Sequence, residues 1–175
     1  MKKIIGLVLS LTIISAVCAA VLAAVNAVTK DPIEKMTVQK TLDAAKAVMP
    51  DGVAAVEPIA LKDGKKGYVG KDAAGKTLGY AAEGGDPKGY GGNIVLMVGF
   101  KADKKTLVRY KTLLAKETPG LGMKLNAPEF ANQFVGKDAT ALKLKKKGGD
   151  IEAITAATIT SSAVCRALAD AQKAL

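Results

Sequence analysis

The stretch Ile151-Glu152-Ala153-Ile154-Thr155-Ala156-Ala157-Thr158-Ile159-Thr160-Ser161-Ser162 sets three threonines and two serines among small alanines. It leads into what reads as the last helix of the chain, from about Ser161 to Ala174, with Val164, Leu168 and Ala171 on its inward face. A helix start leaves unpaired backbone N–H groups and a partial positive charge, which together make a seat for a phosphate. The plainer reading is a hydroxyl-rich cap, since Ser and Thr are preferred at that position.

Two further segments have residue types that could hold a planar ligand. Glu117-Thr118-Pro119-Gly120-Leu121-Gly122 combines a carboxylate, a hydroxyl, a rigid proline turn and one apolar side chain between glycines. Such a loop can hold a ring face with Leu121 while backbone amides address polar ring atoms, or it can be a tight turn. Asp86-Pro87-Lys88-Gly89-Tyr90-Gly91-Gly92 is glycine-dense and precedes the most apolar run of the chain. It reads as a wide turn, or as a loop in which Gly91 and Gly92 let the backbone approach a ligand.

Other chemistries are narrowed by what is missing. The chain has no histidine, which removes the commonest general base and the commonest transition-metal ligand. A Ser-His-Asp hydrolase is excluded. Cys18 lies in an apolar run and Cys165 in the terminal helix, so no cysteine pair has the spacing of a metal or iron–sulfur site. No catalytic residue and no metal are assigned; redox chemistry would need an organic cofactor. The net charge of +10 is scattered apart from Lys143 to Lys147, and aromatic residues make up only 4% of the chain. Stacking platforms for bases are scarce, so no nucleic-acid partner is expected. The charge reads instead as contact with anionic lipid or acidic partners, and Lys145-Lys146-Lys147-Gly148-Gly149 as a solvated loop.

The elements that must position these segments begin with an anchor. No charged residue occurs from Ile4 to Val28, with Lys2-Lys3 ahead of the run and Lys30 after it. As a helix it measures roughly 37 Å, enough to cross a hydrocarbon core of about 30 Å. It is longer than the apolar region of a cleaved signal peptide and contains no Ala-x-Ala. Residues 1–30 are therefore read as a cytoplasmic N-terminus and single membrane span, and residues 31–175 as one domain on the extracytoplasmic side.

Within that domain a first helix is expected over Asp31 to Met49, with Pro32 at its start and Pro50-Asp51-Gly52 at its end. Strands are expected at Val53 to Leu61, Gly67 to Val69, Leu78 to Ala82, Ile94 to Phe100 and Leu107 to Leu114. Turns at Asp63-Gly64, Ala74-Gly75-Lys76 and Gly84 to Gly92 would separate them. Ile94 to Val98 reads as an interior strand covered on both faces. A helical stretch near Pro128 to Phe134 and a strand near Ala141 to Leu144 follow. The fold class is α+β, a curved antiparallel sheet with helices from both ends of the domain packed on it.

Thr155-Ala156-Ala157-Thr158-Ile159-Thr160 resembles the Ser/Thr-Gly-Ala-Thr-x-Thr flavinylation motif of an FMN-binding domain family. That family serves Rnf electron-transport complexes and sodium-pumping NADH:quinone reductases. Ala156 stands where the family usually has Gly, and Glu152 where it usually has Asp. The order of the Gly-Tyr-Gly-Gly turn, the Glu-Thr-Pro-Gly-Leu-Gly loop and the terminal motif is also similar, as is Lys30-Asp31-Pro32-Ile33 after the anchor. Leu114-Ala115-Lys116 replaces a histidine that family members often carry before Glu-Thr-Pro. Length and single anchor look more like the Rnf member of the family than its longer quinone-reductase counterpart.

The resemblance implies FMN bound covalently through a phosphoester on Thr158, attached by a separate flavin transferase. It implies a cofactor site that includes Thr155, Ala156, Ala157, Ile159, Thr160, Glu117, Thr118, Gly120, Leu121, Gly122, Gly91 and Gly92. The implied role is electron relay between ferredoxin and NAD, coupled to Na⁺ or H⁺ movement, with other membrane subunits as partners. The alternatives are a membrane-anchored binding or scaffold protein without flavin, and an FMN relay of another extracytoplasmic respiratory chain.

Overall fold

The computed structural model describes residues 2–61 and 64–175, and the chain divides into two units, Met1–Lys40 and Thr41–Leu175. The described residues of the first unit, 2–40, belong to helix α1, Lys2–Val48. Its stretch Ile4–Lys30 is long and apolar enough to cross a membrane, and its large apolar side chains are exposed. Three hydroxyls in it bond back to the helix: Ser10 donates to the Gly6 carbonyl at 2.9 Å, Thr12 to that of Val8 at 2.8 Å and Thr29 to that of Val25 at 2.8 Å. Back-bonding of this kind removes the polar cost of a hydroxyl in an apolar surrounding.

The expected helix start at Asp31-Pro32 is not a start, because Pro32 lies inside α1. A proline fixes φ at a helical value but removes one backbone donor, so α1 continues through Pro32 with one i→i−4 hydrogen bond fewer.

In the second unit, five strands form an antiparallel meander in sequence order: β1 Ala55–Ala60, β2 Lys66–Lys71, β3 Thr77–Gly89, β4 Gly92–Lys101 and β5 Leu107–Leu114. Of the expected Asp63-Gly64 turn, Asp63 lies outside the described residues. The expected strands appear, but β3 runs much further than Ala82. It pairs Gly84 with Leu96, Gly85 with Val95, Asp86 with Ile94 and Gly89 with Gly92. The glycine-rich segment is thus strand, with an irregularity between Asp86 and Gly89, and closes in a tight turn at Tyr90-Gly91. Glycine lowers strand propensity, but here it makes room for a helix. A Cβ on Gly84 would overlap the Ala167 carbonyl oxygen of α3, Thr158–Ala174.

Strand β4 is buried on both faces, as its continuous apolar run predicts. Ile94, Leu96, Val98 and Phe100 join Val164, Leu168 and Ala171 of α3 in the larger core, which also takes Leu125, Phe130 and Phe134. On the other face Met97 packs with Tyr68, Ala81 and the closing turns of α1 at Ala44, Ala45, Val48 and Met49.

Between β5 and α3 the chain forms short helical turns at Gly122–Asn126, Pro128–Ala131 (α2), Asn132–Phe134, Ala139–Ala141 and Lys145–Lys147. The expected strand near Ala141 to Leu144 does not form; only an isolated bridge joins Leu144 to Ile151. The Asp138 carboxylate instead caps a helical turn at Ala139–Ala141 by accepting from the Thr140 N–H at 2.8 Å.

Candidate functional site

Helix α3 begins at Thr158, three residues before the expected position, and its cap residue is Ala157. No hydroxyl caps it, so the threonines are not an over-supplied cap. Ser161 is spent elsewhere: its Oγ donates to the Ala157 carbonyl and accepts from the Ile154 N–H, both at 2.9 Å. The first N–H groups of a helix have no partner within it, so those at this helix start face outward with the positive end of the dipole. Ala156, just before the cap, adopts a left-handed φ of 60°. That conformation is cheap for glycine and costs alanine roughly 1 kcal/mol.

The three threonines part company in space. Thr160 is buried and donates to the Glu117 Oε2 at 2.7 Å. Thr155 is exposed and lines a separate hollow with Lys124, Phe130 and Glu152. Thr158 is half-buried and stands where two cavities meet.

The first cavity holds about 450 Å³ and is lined by Tyr90, Glu117, Thr118, Leu121, Gly122, Ala156, Ala157, Thr158, Ile159 and Thr160. It brings together the two motif segments, which lie far apart in the chain. The second, about 290 Å³, is lined by Lys147, Thr158, Ile159, Ser162 and Arg166. Thr158 and Ile159 line both, so the Thr158 side chain borders a chamber with apolar walls on one side and one that holds the basic Lys147 and Arg166 on the other.

Glu117 organises the first chamber. Only 5% exposed, it accepts from Thr160 on one oxygen and from the Gly91 N–H at 3.1 Å on the other. A Cβ on Gly122 would come within 2.6 Å of Glu117 Oε2, so the loop must close on the carboxylate with no side chain between. Of the expected cofactor residues, Gly91 sits behind this carboxylate; it, Gly92, Gly120 and Thr155 are not part of the chamber's lining. Tyr90 lines the chamber although its residue type alone does not single it out; its signal is a bulky aromatic between glycines in a chain poor in rings.

Asp86 secures the cationic chamber. It is buried and takes a fork of hydrogen bonds from Arg166, Nε to Oδ2 at 2.6 Å and Nη2 to Oδ1 at 3.0 Å, plus the Lys88 N–H at 2.7 Å. Burial pushes the Asp86 carboxyl up, but these bonds and the charges of Arg166 and Lys88 outweigh it and hold the group below the ordinary carboxylate range. One helical turn on, Asp170 accepts the Gly85 N–H at 2.8 Å and pairs with Lys65. These bonds fix the middle and the C-terminal half of α3 against the far end of β3.

A chamber of this size is within the range of small-ligand pockets, and its mix of apolar faces with a few placed polar groups fits a planar ring carrying hydrogen-bonding edges. The adjoining helix start with Lys147 and Arg166 fits a phosphate. The residues present thus suit a flavin mononucleotide.

The FMN-binding domain family matches residues 89–173. The chain is 34% identical over 174 residues to the G component of the ion-translocating oxidoreductase complex of Methanosarcina acetivorans, covering 95% of this chain and 92% of that one. It is 36% identical to the G component of the Na⁺-translocating ferredoxin:NAD⁺ oxidoreductase complex of Acetobacterium woodii, covering 93% and 87%. Among solved structures, Shewanella oneidensis NqrC superposes with a TM-score of 0.53 at 20% identity, over 67% of this chain and 64% of that one, which shows a shared fold.

Proposed function

Because the chain belongs to the family of G components of ion-translocating oxidoreductase complexes, with an FMN-binding domain, we propose that it is a membrane-anchored flavoprotein subunit. In this reading it carries FMN on Thr158 and relays electrons within an ion-translocating ferredoxin:NAD oxidoreductase. The observation that carries the reading is the position of Thr158 on the boundary between the ring-sized chamber and the cationic one.

The flavin supplies electron-transfer chemistry; the protein supplies position and field. Leu121, Ile159 and Tyr90 offer apolar surface to the ring, and Thr118 a hydroxyl and backbone groups to its polar edge. The N–H groups opening α3, with Lys147 and Arg166, stabilise the single negative charge that a phosphodiester retains. Glu117 and Thr160 hold the walls together and leave Thr158 as the motif hydroxyl within the chamber that no side-chain hydrogen bond engages among the described residues.

Attachment would be a transfer of the FMN group from FAD: the Thr158 Oγ1 would bond to the flavin-side phosphorus as the pyrophosphate bond breaks, AMP would leave, and the hydroxyl proton would pass to a base of a separate flavin transferase. A tether suits a domain on the extracytoplasmic side, where lost flavin could not be replaced from the cellular pool. We place residues 1–30 as cytoplasmic N-terminus and span, with residues 31–175 outside; Lys2 and Lys3 ahead of the apolar run support that orientation. Other membrane subunits and the bilayer are the expected partners.

The test is the mass of the full chain after co-expression with a flavin transferase. A yellow protein heavier by one FMN residue is expected. A colourless protein of unmodified mass, in cells where a known substrate of the same transferase is loaded, overturns the reading.

A further inference from the structure

We propose that Tyr90 is the stacking residue of the flavin site, its ring lying on the isoalloxazine face that the chamber leaves open. The proposal rests on the FMN reading above and adds to it a ring contact from the turn at Tyr90-Gly91, outside the Thr155–Thr160 and Glu117–Gly122 segments.

The chain has four tyrosines, three phenylalanines and no tryptophan. The phenylalanines and Tyr68 are buried, Tyr110 packs edge-on against Phe134, and Tyr80 lies under the Lys104 ammonium at 4.7 Å. Tyr90 differs from all of these in being 70% exposed while lining the chamber beside Thr158. Exposing so large a ring at the tip of a hairpin has no packing benefit within the chain.

The turn that carries it is not loose. A Cβ on Gly89 would come within 2.8 Å of Glu117 Oε1, and one on Gly91 would overlap the Lys116 carbonyl oxygen. Both neighbours of Tyr90 are therefore pressed against the Lys116-Glu117 wall, and the Gly91 N–H is bonded to Glu117. The buried carboxylate, half used on Thr160, spends its other oxygen fixing the residue next to Tyr90. A flexible turn would need none of this; a turn that presents one ring at one place needs all of it. Leu121 and Ile159, 43% and 54% exposed, line the same chamber and complete an apolar rim.

Stacking on an aromatic side chain is sequence-tolerant for bases and equally available to a flavin, which has the same kind of π-face. A tyrosine in contact with an excited flavin also quenches its fluorescence, by lending an electron that returns on recombination, with no net change in either group.

The experiment uses the full chain in detergent, as Tyr90, Tyr90→Phe and Tyr90→Leu, each loaded by the transferase and checked for one FMN by mass and for an unchanged melting temperature. In parallel, free FMN is titrated onto Thr158→Ala chains with the same three residues at position 90. Tyr90→Leu is expected to lengthen the flavin fluorescence lifetime severalfold and to weaken free FMN about 2- to 12-fold, the worth of one aromatic contact. Tyr90→Phe is expected to lengthen the lifetime while holding affinity within about twofold, because the ring remains and the phenol is gone. Lifetimes and affinities identical in all three overturn the proposal. So does a Tyr90→Leu chain with unchanged flavin properties that no longer co-purifies with its membrane partners, which would make Tyr90 a docking residue. If Thr158 takes no flavin but free FMN still binds, the tether fails and the titration alone judges Tyr90. If neither form binds, both readings fall.

Discussion

Thr160 Oγ1 donates a 2.7 Å hydrogen bond to Glu117 Oε2, joining the first turn of α3 to the loop that follows β5. The hydroxyl two residues beyond the proposed attachment point is therefore structural, and the carboxylate lining the chamber has its oxygens committed to protein donors. Both residues look like ligand contacts by type. Their geometry makes them the fastening that gives the chamber its shape.

Thr160→Val keeps the side-chain shape and removes that donor. Leaving a buried carboxylate short of one hydrogen bond costs about 1–3 kcal/mol. Chemical denaturation of the wild type and the variant should show the loss as a lower midpoint. Glu117→Ala should also lose stability, because it leaves the Thr160 hydroxyl and the Gly91 N–H without their acceptor; Glu117→Gln should be milder, since its carbonyl can take the Gly91 N–H while its NH2 donates to the Thr160 hydroxyl. Midpoints equal to that of the parent would remove the fastening role.

Thr158→Ala is expected to abolish in-gel flavin fluorescence after denaturation, whereas Thr155→Ala should keep most of it, since Thr155 lines a different hollow. Thr160→Val should retain the bond at reduced yield through its effect on the fold. Fluorescence that persists in Thr158→Ala would move the attachment elsewhere.

Strand β5 is legible in the sequence residue for residue, and β4 nearly so, because an alternating or continuous apolar run between turn residues states its own period. The extension of β3 to Gly89 is not legible. Its glycines read locally as a loop, and only the approach of Ala167 and Ala171 on α3 explains them. The site shows the same division. Spacing points to Thr155–Thr160 and Glu117–Gly122 as segments, but which threonine is free depends on Glu117, far away in the chain. Lys147 and Arg166 carry no signal, since a lysine run and a helix arginine look like solvated surface until the fold brings them to Thr158.

Ala156→Gly should stabilise the domain. The residue sits at φ 60°, where glycine escapes a Cβ clash worth roughly 1 kcal/mol, less the extra freedom glycine has in the unfolded chain. A net gain of about 0.5 kcal/mol would raise the melting temperature by about 1–3 °C. Ala156→Val, β-branched at a left-handed position, should lower it by more than that. Flavin loading should follow the same order, because this residue sets the approach to the start of α3.

The apolar stretch Ile4–Lys30 should keep the chain in the membrane pellet through a high-salt wash, with its first residues intact by N-terminal sequencing. Protease added to intact spheroplasts should remove the domain after Lys30 and leave the span. A chain beginning beyond Ala19 would show a cleaved leader, and a protected domain would reverse the orientation.

Acid should loosen α3 from β3 through Asp86. Its folded pKa lies below the ordinary value of about 3.9, so its contribution is complete above that value and is lost as pH falls through the folded pKa. Arg166 is shifted the other way, raised by its hydrogen bonds to Asp86, and stays charged throughout this range. Asp103, held down to about 2 mainly by the Thr106 hydroxyl, adds acid sensitivity of its own, so the wild-type curve alone does not isolate Asp86. The difference between wild type and Asp86→Asn does. Near neutral pH the variant should be less stable by about 2 kcal/mol, the usual worth of hydrogen bonds to a charged group discounted for a half-exposed arginine. As the pH falls below about 4 the two melting curves should converge, as the wild-type carboxyl takes up the proton that the amide mimics. A gap that stays constant as the pH falls would mean that the Asp86 charge contributes nothing to holding α3 against β3.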